Sequence, residues 1–291
     1  MILVTGASGL NGSKLVARLA ALGQPVRALV RRPPAAGFFP PQAEVALGDL
    51  LDPAAMASAL KGVDHAMLIS SSAPDMLEVQ SAFIAAAKQA GVRHVVKLSG
   101  IMPELDSPFR FARMHGQIEK RLEDSGLAFT HLRAGEFMHA YFRQVPNIVG
   151  KGALFLPMED ARIASVDVDD LVEVAAKVLV DAGHEGKTYR LTGPQANSMA
   201  EIAEQLTAAT GKAVRYVNVP PEDAKRAQLA AGFPPYLADA LAELFAERRV
   251  GKEAQVYPDT AAILGRPAAD FASFAARNAA AFRGEPAQAR T

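Results

Sequence analysis

Met1-Ile2-Leu3-Val4-Thr5-Gly6-Ala7-Ser8-Gly9-Leu10-Asn11-Gly12 opens the chain, and its reading decides the fold. Ile2 to Thr5 is a short apolar run of the kind that forms a buried strand. A glycine-spaced turn, Gly6 to Gly12, follows at once. Leu15, Val16, Leu19 and Leu22 then recur at helical spacing. Pro25-Val26-Arg27-Ala28-Leu29-Val30 is a second buried strand, ending on Arg31-Arg32. Strand, glycine turn, helix and strand make the first half of a dinucleotide-binding fold.

The turn carries the chemistry. Gly6 can take the backbone angles of a strand-to-helix reversal. Gly9, lacking Cβ, lets a pyrophosphate approach the main chain, and Gly12 lets the helix lie close to the sheet. The helix starting near Leu10 points unpaired N–H groups and a positive dipole end at that phosphate. Gly6, Ser8, Gly9, Leu10, Asn11 and Gly12 are therefore the first cofactor-binding candidates. The alternative is a glycine turn in an α/β protein that binds no nucleotide. An acidic residue at the end of the second strand would bond the adenosine ribose and repel a 2′-phosphate. Arg31 and Arg32 stand there instead, and a guanidinium pairs bidentately with phosphate. The pair favours NADPH over NADH, unless both arginines are merely solvated.

The turn reads G-x-x-G-x-x-G and resembles that of the short-chain and extended dehydrogenase/reductase superfamily, commonly TGA-(S/T)-G-x-x-G. It predicts an α/β protein, a Rossmann-type doubly wound parallel sheet.

The chain has 291 residues, half of them apolar, enough for one large α/β domain with a subdomain. Lys and Arg number 31, as do Asp and Glu, so the net charge is zero; with no basic run, nucleic acid and anionic membrane surfaces are not expected partners. No segment approaches the ~20 apolar residues of a membrane span. The chain enters a strand by residue 2, so no signal peptide is expected. The absence of cysteine excludes disulfides, Cys-ligated zinc and thiol catalysis, and fits a cytoplasmic protein. No metal site is read.

Pro33 to Pro41 is a proline-rich connection. Glu44 to Leu47 is a short strand closed by Gly48-Asp49-Leu50. Pro53 to Leu60 is a helix. His65 to Ile69 is a strand ending in Ser70-Ser71-Ser72, small hydroxyl residues that suit a ribose crevice. Met76, Val79, Phe83, Ile84 and Ala87 form one helical face, capped by Gly91. Val95 to Leu98 is a fifth strand, closed by Ser99-Gly100. A helix runs from about Pro108 to Asp124, with Phe111, Met114, Ile118 and Leu122 as its apolar stripe. At 100° per residue, His115 lies about 40° and Glu119 about 80° from Phe111, so His115 flanks the buried stripe. Phe129 to Arg133 is the sixth strand. Ala153 to Leu156, Lys187 to Thr192 and Val214 to Val219 read as further strands. Asp169 reads as the N-cap of a helix bearing Leu171, Ala175, Val178 and Leu179. Ser198 with Glu201 is a capping box. Pro221 to Arg249 is helical, broken at Pro234-Pro235. The tail after Gly284 is polar and expected to fray. The expected division is a nucleotide-binding domain over 1–145 and a smaller α/β substrate subdomain over 146–291, with strands returning to the main sheet.

Several phrases in order point to one family: the glycine turn, Gly48-Asp49-Leu50, His94 to Ser99, Phe111 to Glu119, Leu132 to Met138, and Val166 to Asp170. Over roughly residues 1–280 the chain resembles the NmrA-like atypical short-chain dehydrogenases, which include type 2 quinone oxidoreductases and triphenylmethane-dye reductases. The resemblance implies NAD(P)H at the carboxyl ends of the strands, with Asp49 and Leu50 beside the adenine and Ser70, Ser71, Ser72 and Ser99 along the crevice. Asp49 reads equally well as a turn or helix cap. The resemblance also implies a substrate cleft bordered by Phe137, Met138, Tyr141 and Phe142, which otherwise read as subdomain core.

Most short-chain dehydrogenases use a Tyr-x-x-x-Lys pair on the helix after the fifth strand. This chain has His115 and Glu119 at that spacing. An imidazole can do acid–base work near neutral pH, so His115 is the catalytic candidate, with Glu119 to orient it; the alternative is a packed histidine. Lys97 reads as a substrate contact or, more simply, a snorkelling side chain. Two classes of function remain open. One is an NADPH-dependent reductase of a small, flat, electron-poor molecule such as a quinone or dye, whose reduction needs no protein acid. The other is a redox sensor that binds NADP(H) without turnover and acts through a protein partner. An NAD-dependent isomerase or epimerase ranks third. Monomer and homodimer are left undecided.

Overall fold

The computed structural model describes residues 1–285, so the tail expected to fray lies, past Glu285, outside the described residues. β1 (Ile2–Val4) is buried along its whole length. The glycine turn leads into α1 (Leu10–Ala21), and β2 (Val26–Val30) follows. Next come β3 (Glu44–Leu47), α2 (Pro53–Ala59), β4 (His65–Leu68), α3 (Met76–Gln89), β5 (His94–Gly100), α4 (Arg110–Asp124) and β6 (Ala128–Ala134). A 3-10 segment, Met138–Gln144, precedes α5 (Val145–Lys151), β7 (Ala153–Leu156), β8 (Arg162–Ile163), α6 (Val168–Val180) and β9 (Lys187–Leu191). The rest is β10 (Asn197–Ser198), α7 (Met199–Thr210), β11 (Arg215–Asn218), α8 (Pro221–Ala230), α9 (Pro235–Arg249), α10 (Asp259–Leu264), α11 (Phe271–Arg277) and α12 (Ala279–Phe282).

The main sheet has the order β3-β2-β1-β4-β5-β6-β9, and β1 to β6 pair in parallel. Central strands of such a sheet are covered on both faces, which is why β1, residues 66–68 of β4 and residues 95–96 of β5 are apolar and buried. The strand order reverses between β1 and β4, and ligands of open α/β sheets bind at such a switch point. Thr5 ties the two strands there: its hydroxyl donates to the Ile69 carbonyl at 2.7 Å and accepts from the Ile69 N–H at 2.8 Å.

Packing divides the chain into one unit of residues 1–134 with 171–190, and a second of 135–170 with the chain from Leu191 onward. The division thus falls at Gly135 and not after residue 145. A Cβ on Gly135 would sit 2.8 Å from the Ala164 carbonyl oxygen, so at that residue the backbone already packs within the second unit. The core of the second unit gathers Met138, Tyr141, Leu154, Phe245, Phe271 and Phe274 among others. β7 pairs with β11 in parallel and β8 with β10 antiparallel. Ser198 and Glu201 form the expected capping box. The Asp169 cap is corrected: Asp169 lies inside α6, and its N–H donates at 3.0 Å to the Asp167 carboxylate, which does the capping. Asp167 is buried and paired with Arg277, and Asp170 is paired with Arg266. Among the described residues, no helix is long and apolar enough to cross a membrane.

Candidate functional site

The glycine turn is built by close contact. Gly6 has φ +58°, and a Cβ there would lie 2.9 Å from the Ile69 carbonyl oxygen. A Cβ on Gly12 would lie 2.3 Å from the Gly6 oxygen and 2.7 Å from Ala7 Cα, so Gly12 seats the helix on the turn itself. A Cβ on Gly9 would meet only the Gly6 oxygen at 3.3 Å, leaving its outer side open. Gly9 is the N-cap of α1, and among the described residues no side chain caps that end. The first N–H groups of the helix therefore face outward as an anion cradle.

Gly6, Ser8, Gly9, Arg31, Asp49, Leu50, Ser70 and Ser71 line one cavity of about 590 Å³. Ser8, Arg31 and Arg32 line an adjoining one of about 490 Å³, with Phe38. Two further oxygens, Asn11 Oδ1 and Ser99 Oγ, are buried without a hydrogen-bond partner among the described residues. An extended anionic ligand with sugar hydroxyls fits the two cavities: an open cradle, serine hydroxyls and two cations at one end. Leu10, Asn11, Gly12, Ser72 and Ser99 do not line either cavity. Asp49 accepts from the Leu51 N–H at 2.9 Å, a local turn bond made by one carboxylate oxygen. Ser70 accepts from Gln80 Nε2 at 2.8 Å. Met76 and Val79 also line the larger cavity, although their helical spacing marks them only as core.

β5 and the helix after it depart from expectation at one residue each. Glu119 does not orient His115: Arg133 on β6 holds its carboxylate, with Nη2 to Oε2 at 2.6 Å. Lys97 does not snorkel: it is fully buried, with Nζ 2.8 Å from His115 Nδ1 and 3.3 Å from the Leu98 carbonyl. Burial lowers the Lys97 ammonium to about 7, with Glu119 opposing and Arg133 reinforcing the shift. Burial and Lys97 hold the His115 imidazole well below its ordinary value. His115 is half-buried against Gly100, and its Nε2 has no hydrogen-bond partner among the described residues.

Of the four residues expected beside the substrate, Met138 and Tyr141 are buried in the core of the second unit and Phe142 packs against it. Phe137 is half-buried and bridges Val166. Tyr141 also lines a cavity of about 480 Å³ within that unit, together with Glu136, Phe155, Met158, Phe233 and Phe245. Burial, with Glu136 nearby, pushes the Tyr141 phenol well above its ordinary value, so it remains a protonated donor. Arg248, also in the lining, is held between Glu136 at 2.8 Å and Glu253 at 2.9 Å.

A model of the NmrA-like family matches residues 1–262. The NAD(P)H azoreductase of Xenophilus azovorans is 38% identical over 283 residues, 97% of this chain and 99% of that protein. The crystal structure of an Escherichia coli NADPH-dependent quinone oxidoreductase complexed with NADPH matches with a TM-score of 0.88 at 33% identity, over 95% of this chain and 99% of that one. The Citrobacter sp. triphenylmethane reductase complexed with NADP(H) matches with a TM-score of 0.86 at 26% identity, over 96% and 99%.

Proposed function

The chain belongs to the NmrA-like family, and from that premise we propose that this NAD(P)H-dependent oxidoreductase transfers hydride from NADPH to a small, flat, electron-poor acceptor, a quinone or a dye. The observation that carries the reading is the cavity at the switch point, where the Gly6–Gly9 turn, Arg31, Asp49 and Ser70 converge. The nicotinamide supplies the hydride; the protein binds, orients and excludes water.

In this reading the α1 N-terminus and the turn N–H groups hold the pyrophosphate, and Ser70, Ser71, Ser72 and Ser99 serve the riboses and nicotinamide end. Arg31 and Arg32, both lining the adjoining cavity, favour a 2′-phosphate and so NADPH over NADH. Tyr141, with Phe137, Met138 and Phe142, shapes the acceptor site. His115 handles the proton: Lys97 occupies Nδ1, so Nε2 is the ring atom left to exchange. The names of the matched relatives, an azoreductase, a quinone oxidoreductase and a dye reductase, support acceptors that take hydride directly.

The test is a calorimetric titration with NADPH and NADH, followed by addition of quinones and dyes while the reduced-nicotinamide absorbance is read. Binding with oxidation is expected. Tight binding with no oxidation of any acceptor would replace the reading with that of a redox sensor.

A further inference from the structure

The cavity of the second unit carries charge that hydride transfer itself does not need. Five charged side chains line it: Glu136, Arg143, Lys151, Asp223 and Arg248. Arg248 is neutralised by Glu136 and Glu253, and Asp223 is paired with Arg226. That leaves Arg143 and Lys151. Both are exposed, and neither has a carboxylate partner among the described residues. Lys151 Nζ instead sits 5.3 Å from the Phe155 ring centroid, over an aromatic wall of the same cavity. A third feature lies in the wall: Gln228, on α8, lines the cavity, and its Oε1 is buried without a hydrogen-bond partner among the described residues. An orphaned buried acceptor is costly unless something donates to it. The remaining lining is largely apolar and aromatic, and about 480 Å³ suits a two- or three-ring molecule.

We propose that this cavity takes aromatic acceptors bearing an acidic substituent, the anion set against Arg143 and Lys151 and a ring-borne N–H or O–H donating to Gln228 Oε1. That such a ligand is reduced rests on the reductase reading; that it binds does not.

Two probes separate the claims. 8-Anilinonaphthalene-1-sulfonate and N-phenyl-1-naphthylamine share their rings and bridging amine and differ by one sulfonate, and neither is a hydride acceptor. In fluorescence titrations at low salt the sulfonated probe is expected to bind about tenfold more tightly, because the two cations lack competing partners. In the double variant Arg143→Gln, Lys151→Gln the difference shrinks to within about twofold. Gln228→Leu weakens both probes by about threefold to tenfold, without lowering the thermal midpoint, since the orphaned amide oxygen leaves with it. Equal affinities in the native chain, a preference that survives the double variant, or failure of both probes to bind would overturn the proposal. In turnover, the preference for 1,2-naphthoquinone-4-sulfonate over 1,2-naphthoquinone is expected to fall about tenfold in the double variant; a ratio that does not move overturns the acceptor claim. Absence of turnover with both quinones would refute the reductase reading instead, while the probe titrations still decide the site.

Discussion

Lys97 Nζ lies 2.8 Å from His115 Nδ1, joining a strand lysine and a helix histidine 18 residues apart. The lysine is fully buried, and its other bond is to the Leu98 carbonyl. Among the described residues no carboxylate bonds it: Glu119 is taken by Arg133, and His131, the neighbour of Lys97 across β5 and β6, bonds Glu123. Below about pH 7, where Lys97 is an ammonium and has donors only, His115 Nδ1 accepts and the proton of the neutral ring resides on Nε2. A short-chain dehydrogenase lysine of the Tyr-x-x-x-Lys kind lies on the helix. Here the lysine comes from the strand and acts on the imidazole.

This burial sets a pH dependence. The ordinary lysine value is 10.5 and the folded one about 7. Between those values the unfolded chain binds more protons than the folded one, so this group makes stability rise with pH from about 7 to 10.5. Lys97→Met removes the contribution. Urea unfolding at pH 7 and 9.5 is expected to show a native chain that gains at least ~1 kcal/mol over the variant between the two. Parallel profiles would show that the lysine is not buried as a strained cation.

His115→Ala tests the proton role. Its side chain lies outside both cavities of the glycine-turn region, so NADPH affinity is expected to stay within about twofold of native. Because a quinone can take hydride without a protein acid, its kcat decides between the two roles of the imidazole: a general acid contributes roughly 100-fold or more, so a fall of that size marks His115 as the proton donor. An unchanged kcat in stopped-flow reduction would assign the imidazole to packing beside Gly100.

The glycine turn offers a separation of folding from binding. Gly9 opens outward, so Gly9→Val is expected to fold with a native-like thermal midpoint yet lose NADPH binding in calorimetry. Gly12→Ala puts a methyl group 2.3 Å from the Gly6 oxygen, and the turn must shift. That variant is expected to lose about 1–3 kcal/mol of stability as well as affinity. Native affinity in Gly9→Val would remove the phosphate from this turn.

Much of this was legible in the chain. Both arms of the turn, all six parallel strands and the proline-broken pair α8 and α9 announce themselves because apolar runs and breakers are local signals. The partners of His115 and Glu119 are not local. Lys97 and Arg133 arrive from β5 and β6, and only strand register decides which charge meets which. Spacing put Glu119 on the same helix as His115, but a guanidinium that makes two parallel bonds outcompetes an imidazole for a buried carboxylate. The short 3-10 segment and α5 hide for another reason: seven residues are too few to show a period.

Arg31 and Arg32 tell NADPH from NADH by charge. Replacing both with alanine is expected to weaken NADPH by about 10- to 100-fold, each charge-assisted bond to a phosphate being worth about 1.5–3 kcal/mol before solvent screening. NADH, lacking the 2′-phosphate, is expected to change by less than about threefold. Equal losses for the two nucleotides, measured by calorimetry, would leave no basis for the preference.

Arg248 is the most exacting test of the second unit, because it is buried between two carboxylates, Glu136 and Glu253. Arg248→Met keeps the apolar stem and removes the charge, which strands both anions. The cost is expected to be about 3–5 kcal/mol at pH 8. Glu253 is already raised above its ordinary 4.5 by burial, with Arg248 pulling it down. Removing the arginine raises it further. A carboxylate with a raised folded value binds protons that the unfolded chain has released, so its penalty grows as pH rises from 4.5 through that value. The variant should therefore lose less stability at pH 5 than at pH 8, read as the difference in urea midpoints from the native chain. An equal loss at both values would mean that the carboxylates reach water when the arginine is gone.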